Sequence, residues 1–377
     1  MHQVSLQLEP NRPAAQPVVI DSAGDAERSG FDIGWDHARH GLVPPAELLL
    51  QGSPVKQGWM AGKAVFARRT LANRRGTRLW LQLRLHAWLQ RLPFETEQVT
   101  PNYLTQLQVE HCPVTRQALQ GLAGSDTGVV VERLNPKAGY AAGNLALMSL
   151  AASRWRAGVT VAEAVRQARA LEQQAGKAAD AALWWRLAVL GSFATPLPFV
   201  EAAKLPLVML PPNRVRVLNS VQGLQAVLTR CFMTPGWAAR CQQLARALPA
   251  HSLRLDFNLF VGAMAPRVLE AGTGPRALRL ALEDAWLLER VQRRWLHFVF
   301  SLGETGVQTL LERATAAGVA GVLTLHHAAK TATEGWYLQL TPSAQRLSQS
   351  PAARPGTSRP PSAPDSRGSM CHLRAAT

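Results

Sequence analysis

Apolar residues recur at helical spacing through most of this chain and at strand-like spacing in only a few short places. Between Arg78 and Leu92, the positions Leu79, Trp80, Leu83, Ala87 and Trp88 line one face of a 3.6-residue period, which predicts an amphipathic helix. Thr100 followed by Pro101 has the form of an N-cap with proline at the first helical position, so a short helix from Pro101 to about Glu110 is expected. Val129-Val130-Val131 is β-branched, is bounded by Gly128 and Asn135-Pro136, and predicts a strand. Leu145 to Arg156 and Val161 to Gln174 have helical character, with Thr160 and Glu163 placed as a capping box for the second. In the first of these, a helix from Leu147 is expected to follow a loop at 139–144.

Beyond Gly176, alanine, leucine and arginine fill long helical windows: Ala178 to Leu190, Gln222 to Phe232, Trp237 to Leu248 and Pro275 to Ser301. Proline and glycine interrupt them at Pro196, Pro198, Pro211, Pro212, Pro235, Gly236 and around Gly272 to Pro275. Gly306 to Ala317 predicts a helix, and Val319 to Leu325 and Trp336 to Leu340 predict strands. Residues 1–30 lack periodicity and are expected to form a flexible lead-in. From Thr341 onward serine, proline, arginine and glycine dominate, a composition that builds no core, and 341–377 is expected to be a disordered tail. The expected fold class is therefore α+β. A small strand-containing core sits within a mostly helical domain at 31–175, followed by a mainly helical domain at 178–340.

The length of 377 residues suits two domains plus tails, and 47% apolar residues suffice for their cores. A net charge of +16, carried largely by arginine, favours a polyanionic partner such as nucleic acid, and is equally what an arginine-rich proteome produces. Cys112, Cys231, Cys241 and Cys371 include no Cys-x-x-Cys pair, so neither a zinc knuckle nor a disulfide framework is indicated and a reducing, cytoplasmic setting is expected. Met1 to Arg12 is polar, which predicts no signal peptide, and no apolar run is long enough to span a bilayer. No phosphate-binding glycine motif is present, so nucleotide-cofactor chemistry is unsupported.

The richest local pattern is Glu132-Arg133-Leu134-Asn135 followed by Gly139-Tyr140-Ala141-Ala142-Gly143-Asn144, with Cys112-Pro113-Val114-Thr115 about twenty residues upstream. Gly139 and Gly143 are placed to supply positive φ, and Asn144 to bond backbone groups within the loop. This order of parts resembles the HNH, or His-Me finger, nuclease core over Cys112 to Arg156. The resemblance implies a ββα unit in which Cys112, Thr115, Gly139, Tyr140, Gly143 and Asn144 are structural. It also implies catalysis at Glu132 and Arg133, with Glu132 as ligand to a divalent ion such as magnesium or manganese.

The chain departs from that pattern where chemistry is done. Arg133 stands at the family's general-base position and, always protonated, can accept nothing. Ser153 stands at the helix-ligand position, usually Asn or His, and a lone hydroxyl is a poor metal ligand. Arg156 stands at the basic position after it. His111 and Asp126 are candidate substitute ligands.

Leu48 to Phe94 holds nine basic residues and no acidic one, namely Lys56, Lys63, Arg68, Arg69, Arg74, Arg75, Arg78, Arg84 and Arg91. Of these, Lys63, Arg68, Arg69, Arg74, Arg75 and Arg78 are the expected phosphate contacts, since each neutralised phosphate releases counterions without sequence choice. DNA is expected in preference to RNA. Asp36, His37 and His40 lie close enough in sequence to hold a metal or relay a proton. His326-His327 falls on a predicted strand, whose alternation sends the two rings to opposite faces. Trp184, Trp185, Trp286 and Trp295 lie in apolar helices and are expected in the core. Three functions follow: nucleic-acid binding by a degenerate nuclease-like module, divalent-dependent endonuclease activity, or a helical interaction protein whose basic charge is incidental.

Overall fold

A computed structural model describes residues 23–119, 128–271, 274–318, 330–336 and 338. Its first element, α1 (Ala23–Arg39), packs against α2 (Pro54–Phe66) and α3 (Arg75–Leu89). The lead-in expected over 1–30 is therefore too long, because 23–30 already belong to α1. Trp88 explains this: from α3 its Nε1 donates to the Ala26 carbonyl at 2.7 Å, fixing the start of α1 by a contact across 62 residues. α3 begins three residues earlier than the apolar spacing suggests and turns Leu79, Leu83 and Ala87 inward. α4 (Pro101–Gln106) is the short helix expected after Thr100, whose Oγ1 accepts from the Tyr103 N–H at 3.2 Å.

Next come β1 (Val129–Arg133) and β2 (Leu145–Ser149), an antiparallel pair with Val129 opposite Ser149 and Arg133 opposite Leu145. α5 (Leu150–Arg156) follows without a loop, capped by Ser149, whose Oγ accepts from the Ala152 N–H. The helix expected from Leu147 is thus strand up to Ser149. The reason lies in burial on both faces: Leu145 and Leu147 join α3, while Ala146 and Met148 enter the core built with the second half of the chain. A run buried on both sides carries no alternation, so only its pairing with β1 distinguishes strand from helix. α6 (Val161–Glu172) has the expected capping box in full, with Thr160 and Glu163 bonding each other's backbone N–H.

The remaining helices are α7 (Ala178–Phe193), α8 (Phe199–Ala203), α9 (Ser220–Phe232), α10 (Trp237–Arg246), α11 (His251–Glu270), α12 (Pro275–Ala285) and α13 (Glu289–Ala316). The window expected as one helix from Pro275 to Ser301 breaks at 286–288, between α12 and α13. The helix expected from Gly306 is the end of α13, beyond a kink where Gly303 has φ 72°. α11 was not expected. Trp286 and Trp295 meet edge to face at 5.3 Å within the core, Trp185 is also buried, and Trp184 is half-buried.

One core gathers residues from both sides of the division expected at 175–178. Cys112, Val114, Leu134, Ala146 and Met148 share it with Trp185, Phe193, Leu207, Phe232 and Trp336. The described residues form one compact unit. Cys231 and Cys241, which the sequence does not pair, lie with their sulfurs 4.0 Å apart as thiols. The strand expected at 319–325, His326-His327, Asp126, Cys371 and the tail at 341–377 lie outside the described residues; of the strand expected at 336–340, Trp336 is in a bend. Among the described residues no helix is long and apolar enough to cross a membrane.

Candidate functional site

Two features meet at α3. Its N-terminus carries the basic segment, and its buried face packs on the β1–β2 pair through Leu79, Leu83, Val131, Leu145 and Leu147. Lys63, Arg68, Arg69, Arg74, Arg75 and Arg78 are all exposed. Lys63 lies over the Trp59 ring at 4.5 Å, and Arg78 donates to the Asn73 side chain at 3.3 Å. Among the described residues no salt bridge involves any of these six. Arg84, from the same basic run, behaves differently. It is buried, pairs with Asp36 and stacks over Trp80 at 4.4 Å, so it ties α3 to α1.

Arg74 caps α3, Arg75 and Arg78 fall in its first turn, and no acidic residue offsets them. That end already carries the positive pole of the helix dipole, so these cations work against folding and favour an external anion.

The loop between β1 and β2 is built as a rigid staple around Asn144. Its Oδ1 accepts from the Asn135 N–H at 2.7 Å, and its Nδ2 donates to the carbonyls of Asn135 and Gly139 at 3.2 and 3.0 Å. Gly143 has the expected positive φ (88°), whereas Gly139 does not. Gly139 is required for a different reason: a Cβ there would lie 2.6 Å from the Pro93 carbonyl oxygen. Cys112 anchors the other end, its sulfur accepting from the N–H groups of Thr115 and Ser149 and from the Ser149 hydroxyl at 3.3–3.5 Å. Thr115 Oγ1 caps the same turn by accepting from Gln117 N–H at 3.4 Å.

Beneath that loop lies a buried polar cluster. Glu132 on β1, only 1% exposed, accepts a 2.6 Å hydrogen bond from the Ser153 hydroxyl at Oε1, and its Oε2 lies 3.7 Å from Arg156 Nη1. Ser153 and Arg156 are one turn apart on α5, so both point at the same carboxylate. Arg156 also donates to the carbonyls of Arg133, at 2.6 Å, and Leu134. Arg133 is buried as well: Nη1 donates to the Pro136 and Ala138 carbonyls at 3.1 and 2.9 Å, and its guanidinium stacks 5.2 Å from the Tyr140 ring.

His86, which the sequence reading missed, completes the cluster from α3. Its ring meets Tyr140 edge-on at 6.2 Å, and its Nε2 is buried without a hydrogen-bond partner among the described residues. Its only local signal was a histidine in an apolar helix face, and nothing nearby in sequence marks it.

This cluster does not fit a divalent cation. Glu132 supplies one carboxylate, already hydrogen-bonded to Ser153, with a guanidinium against its other oxygen. Among the described residues no group of three His, Cys, Asp or Glu is placed to hold a metal. His111 sits in a bridge with Ala118, and Asp36 is taken by Arg84, while His37 Nδ1 lies 2.8 Å from the Ile33 carbonyl. No protein-family model, curated protein or solved structure matches this chain.

Burial, assisted by the positive charge of Arg133 and opposed by Glu132, pushes the His86 pKa down to about 4. A free histidine titrates near 6.5. The unfolded chain therefore takes up a proton between these values that the folded chain refuses. Stability is fully present above pH 6.5 and falls as the pH drops towards 4, by about 3 kcal/mol in all. Urea unfolding of the wild type and of His86→Asn across this window checks it, because the wild type should lose more. Equal slopes would show that the folded protein protonates His86 as readily as the unfolded chain does.

Proposed function

We propose that this protein binds nucleic acid through the basic surface at the α2–α3 connection, and that the strand–loop–strand–helix unit behind it is a degenerate HNH-like module serving as scaffold without efficient cleavage. The observation that carries the reading is the placement of Arg74, Arg75 and Arg78 at the dipole-positive end of α3, exposed and, among the described residues, without carboxylate partners. Stability alone disfavours cations there, whereas a phosphate backbone would offset them. Arg68, Arg69 and Lys63 extend the same charge along the connection. DNA is the expected ligand in preference to RNA.

The buried cluster supports the second half of the proposal. The Glu132 carboxylate, the motif's one retained acidic group, is neutralised from within by Arg156. Arg133 donates from Nη1 to two loop carbonyls, so it holds the loop in shape, and a guanidinium has no lone pair with which to activate water.

Gel shift and plasmid nicking, run in parallel with and without magnesium or manganese, test both halves. The expected result is a shift that weakens steeply with salt and no nicking above background. Efficient nicking that requires the divalent ion would establish an endonuclease instead. Absence of any shift at low salt would leave a helical interaction protein with incidental charge.

A further inference from the structure

Cys231 lies in the last turn of α9 and Cys241 midway along α10, ten residues apart in the chain. The fold turns them towards each other: their sulfurs stand 4.0 Å apart, both residues are buried, and Cys231 Sγ also lies 3.9 Å from the carbonyl of Trp237, the first residue of α10. A buried cysteine usually serves as a small apolar side chain. Cys112 gives the comparison within this chain, since its sulfur accepts three hydrogen bonds and is anchored in a turn. Cys231 and Cys241 instead set two free thiols face to face across a helix junction, the arrangement from which a disulfide closes.

We propose that Cys231 and Cys241 form a dithiol that a hydroperoxide converts to an intramolecular disulfide, tying α10 to α9. The Cys231 sulfur, as thiolate, attacks one peroxide oxygen; the O–O bond breaks, hydroxide leaves, and the proton given up by the thiol turns it into water. Cys231 is then a sulfenic acid. The Cys241 sulfur attacks it, the S–O bond breaks, and the departing oxygen takes the Cys241 proton to form a second water. Two thiols thus lose two protons and two electrons while one peroxide is reduced to two waters. The hydrogen bond from Cys241 favours the Cys231 thiolate over the burial that opposes it, with the Arg240 charge adding to it, whereas the same contact pushes the Cys241 thiol up. Cys231 is therefore the attacking sulfur and Cys241 the resolving one.

Closed packing keeps peroxide from both sulfurs, so the reaction follows local opening of α10. This helix is ten residues long, packs on α9 and α11, and leaves Ala238, Ala239, Gln242, Gln243 and Arg246 exposed. Gly236 at its N-cap, with φ 75°, brings no side-chain cap, and no acidic residue stands in the first turn. Fraying from that end lifts Trp237 and then Cys241, which admits a small oxidant. The finished bond holds α10 down, so oxidation closes the route that admitted the peroxide.

Hydrogen peroxide added to the full chain carrying Cys371→Ser, followed by alkylation in denaturant and tryptic mass mapping, tests the proposal. Arg230 and Arg240 directly precede the two cysteines, so trypsin releases them on separate peptides, 231–240 and 241–246. These should be recovered joined, two hydrogens lighter than their sum, while Cys112 remains alkylated. With Cys241→Ser added, the reaction should stop at a sulfenic acid on Cys231 that dimedone traps. Should that variant fail to fold, the linked peptides of the parent chain decide alone. Both cysteines still alkylated after peroxide, a link that forms only when urea is present during oxidation, or oxidation of Cys112 alongside them would each overturn the proposal.

Discussion

Replacing Arg156 with methionine should lower the stability of the protein by about 3–5 kcal/mol, the range for removing one partner of a buried ion pair. The loss has two parts. The Glu132 carboxylate, 1% exposed and hydrogen-bonded to the Ser153 hydroxyl, loses the guanidinium charge that lies against it in the core. The carbonyls of Arg133 and Leu134 lose their guanidinium donor at the point where β1 enters the loop. Removing the carboxylate as well should recover much of the loss: Glu132→Gln with Arg156→Met leaves an amide that still accepts from Ser153, so the two substitutions should be far from additive. Urea unfolding of the two single variants and the double variant measures the coupling. Additive losses would mean that Glu132 and Arg156 act independently and that the cluster is not the structural brace described above.

What could be read from sequence was chemistry that closes within a few residues. Thr100 and the Thr160/Glu163 box announce their helices because the side chain bonds a backbone group three positions away. Asn144 was legible as a loop staple for the same reason: its partners Asn135 and Gly139 lie within nine residues. β2 was not legible, because two different cores cover its two faces and erase the alternation that marks a strand. α11 was obscured by Pro266 and by apolar residues on both faces, which remove the one-sided stripe of a surface helix. The role of Ser153 was missed in kind. Judged as a metal ligand it is poor, but as a hydroxyl donor to Glu132 across 21 residues it is well placed. Arg84 and His86 follow the same rule, since nothing near them in sequence shows that one meets Asp36 and the other Tyr140.

The same contrast between local and distant partners sets the outcome for the basic surface. Arg68→Ala, Arg69→Ala, Arg74→Ala and Arg75→Ala combined should weaken DNA binding by about 10²–10³-fold near physiological salt and reduce the log–log salt slope by about 3–4, if each arginine neutralises one phosphate. Folding should not suffer. None of the four has a salt-bridge partner to lose among the described residues, and removing Arg74 and Arg75 relieves repulsion at the N-terminus of α3, worth about 0.3–1 kcal/mol per charge. The variant should therefore unfold at the same urea concentration as the wild type or a slightly higher one while its affinity collapses. Titration of a labelled duplex at several salt concentrations, beside urea unfolding of the same preparations, separates the two effects. An unchanged slope would move the phosphate contacts away from the α2–α3 connection. A fall in stability that matches the fall in binding would show that these arginines serve the fold, because a binding surface alone predicts the opposite sign.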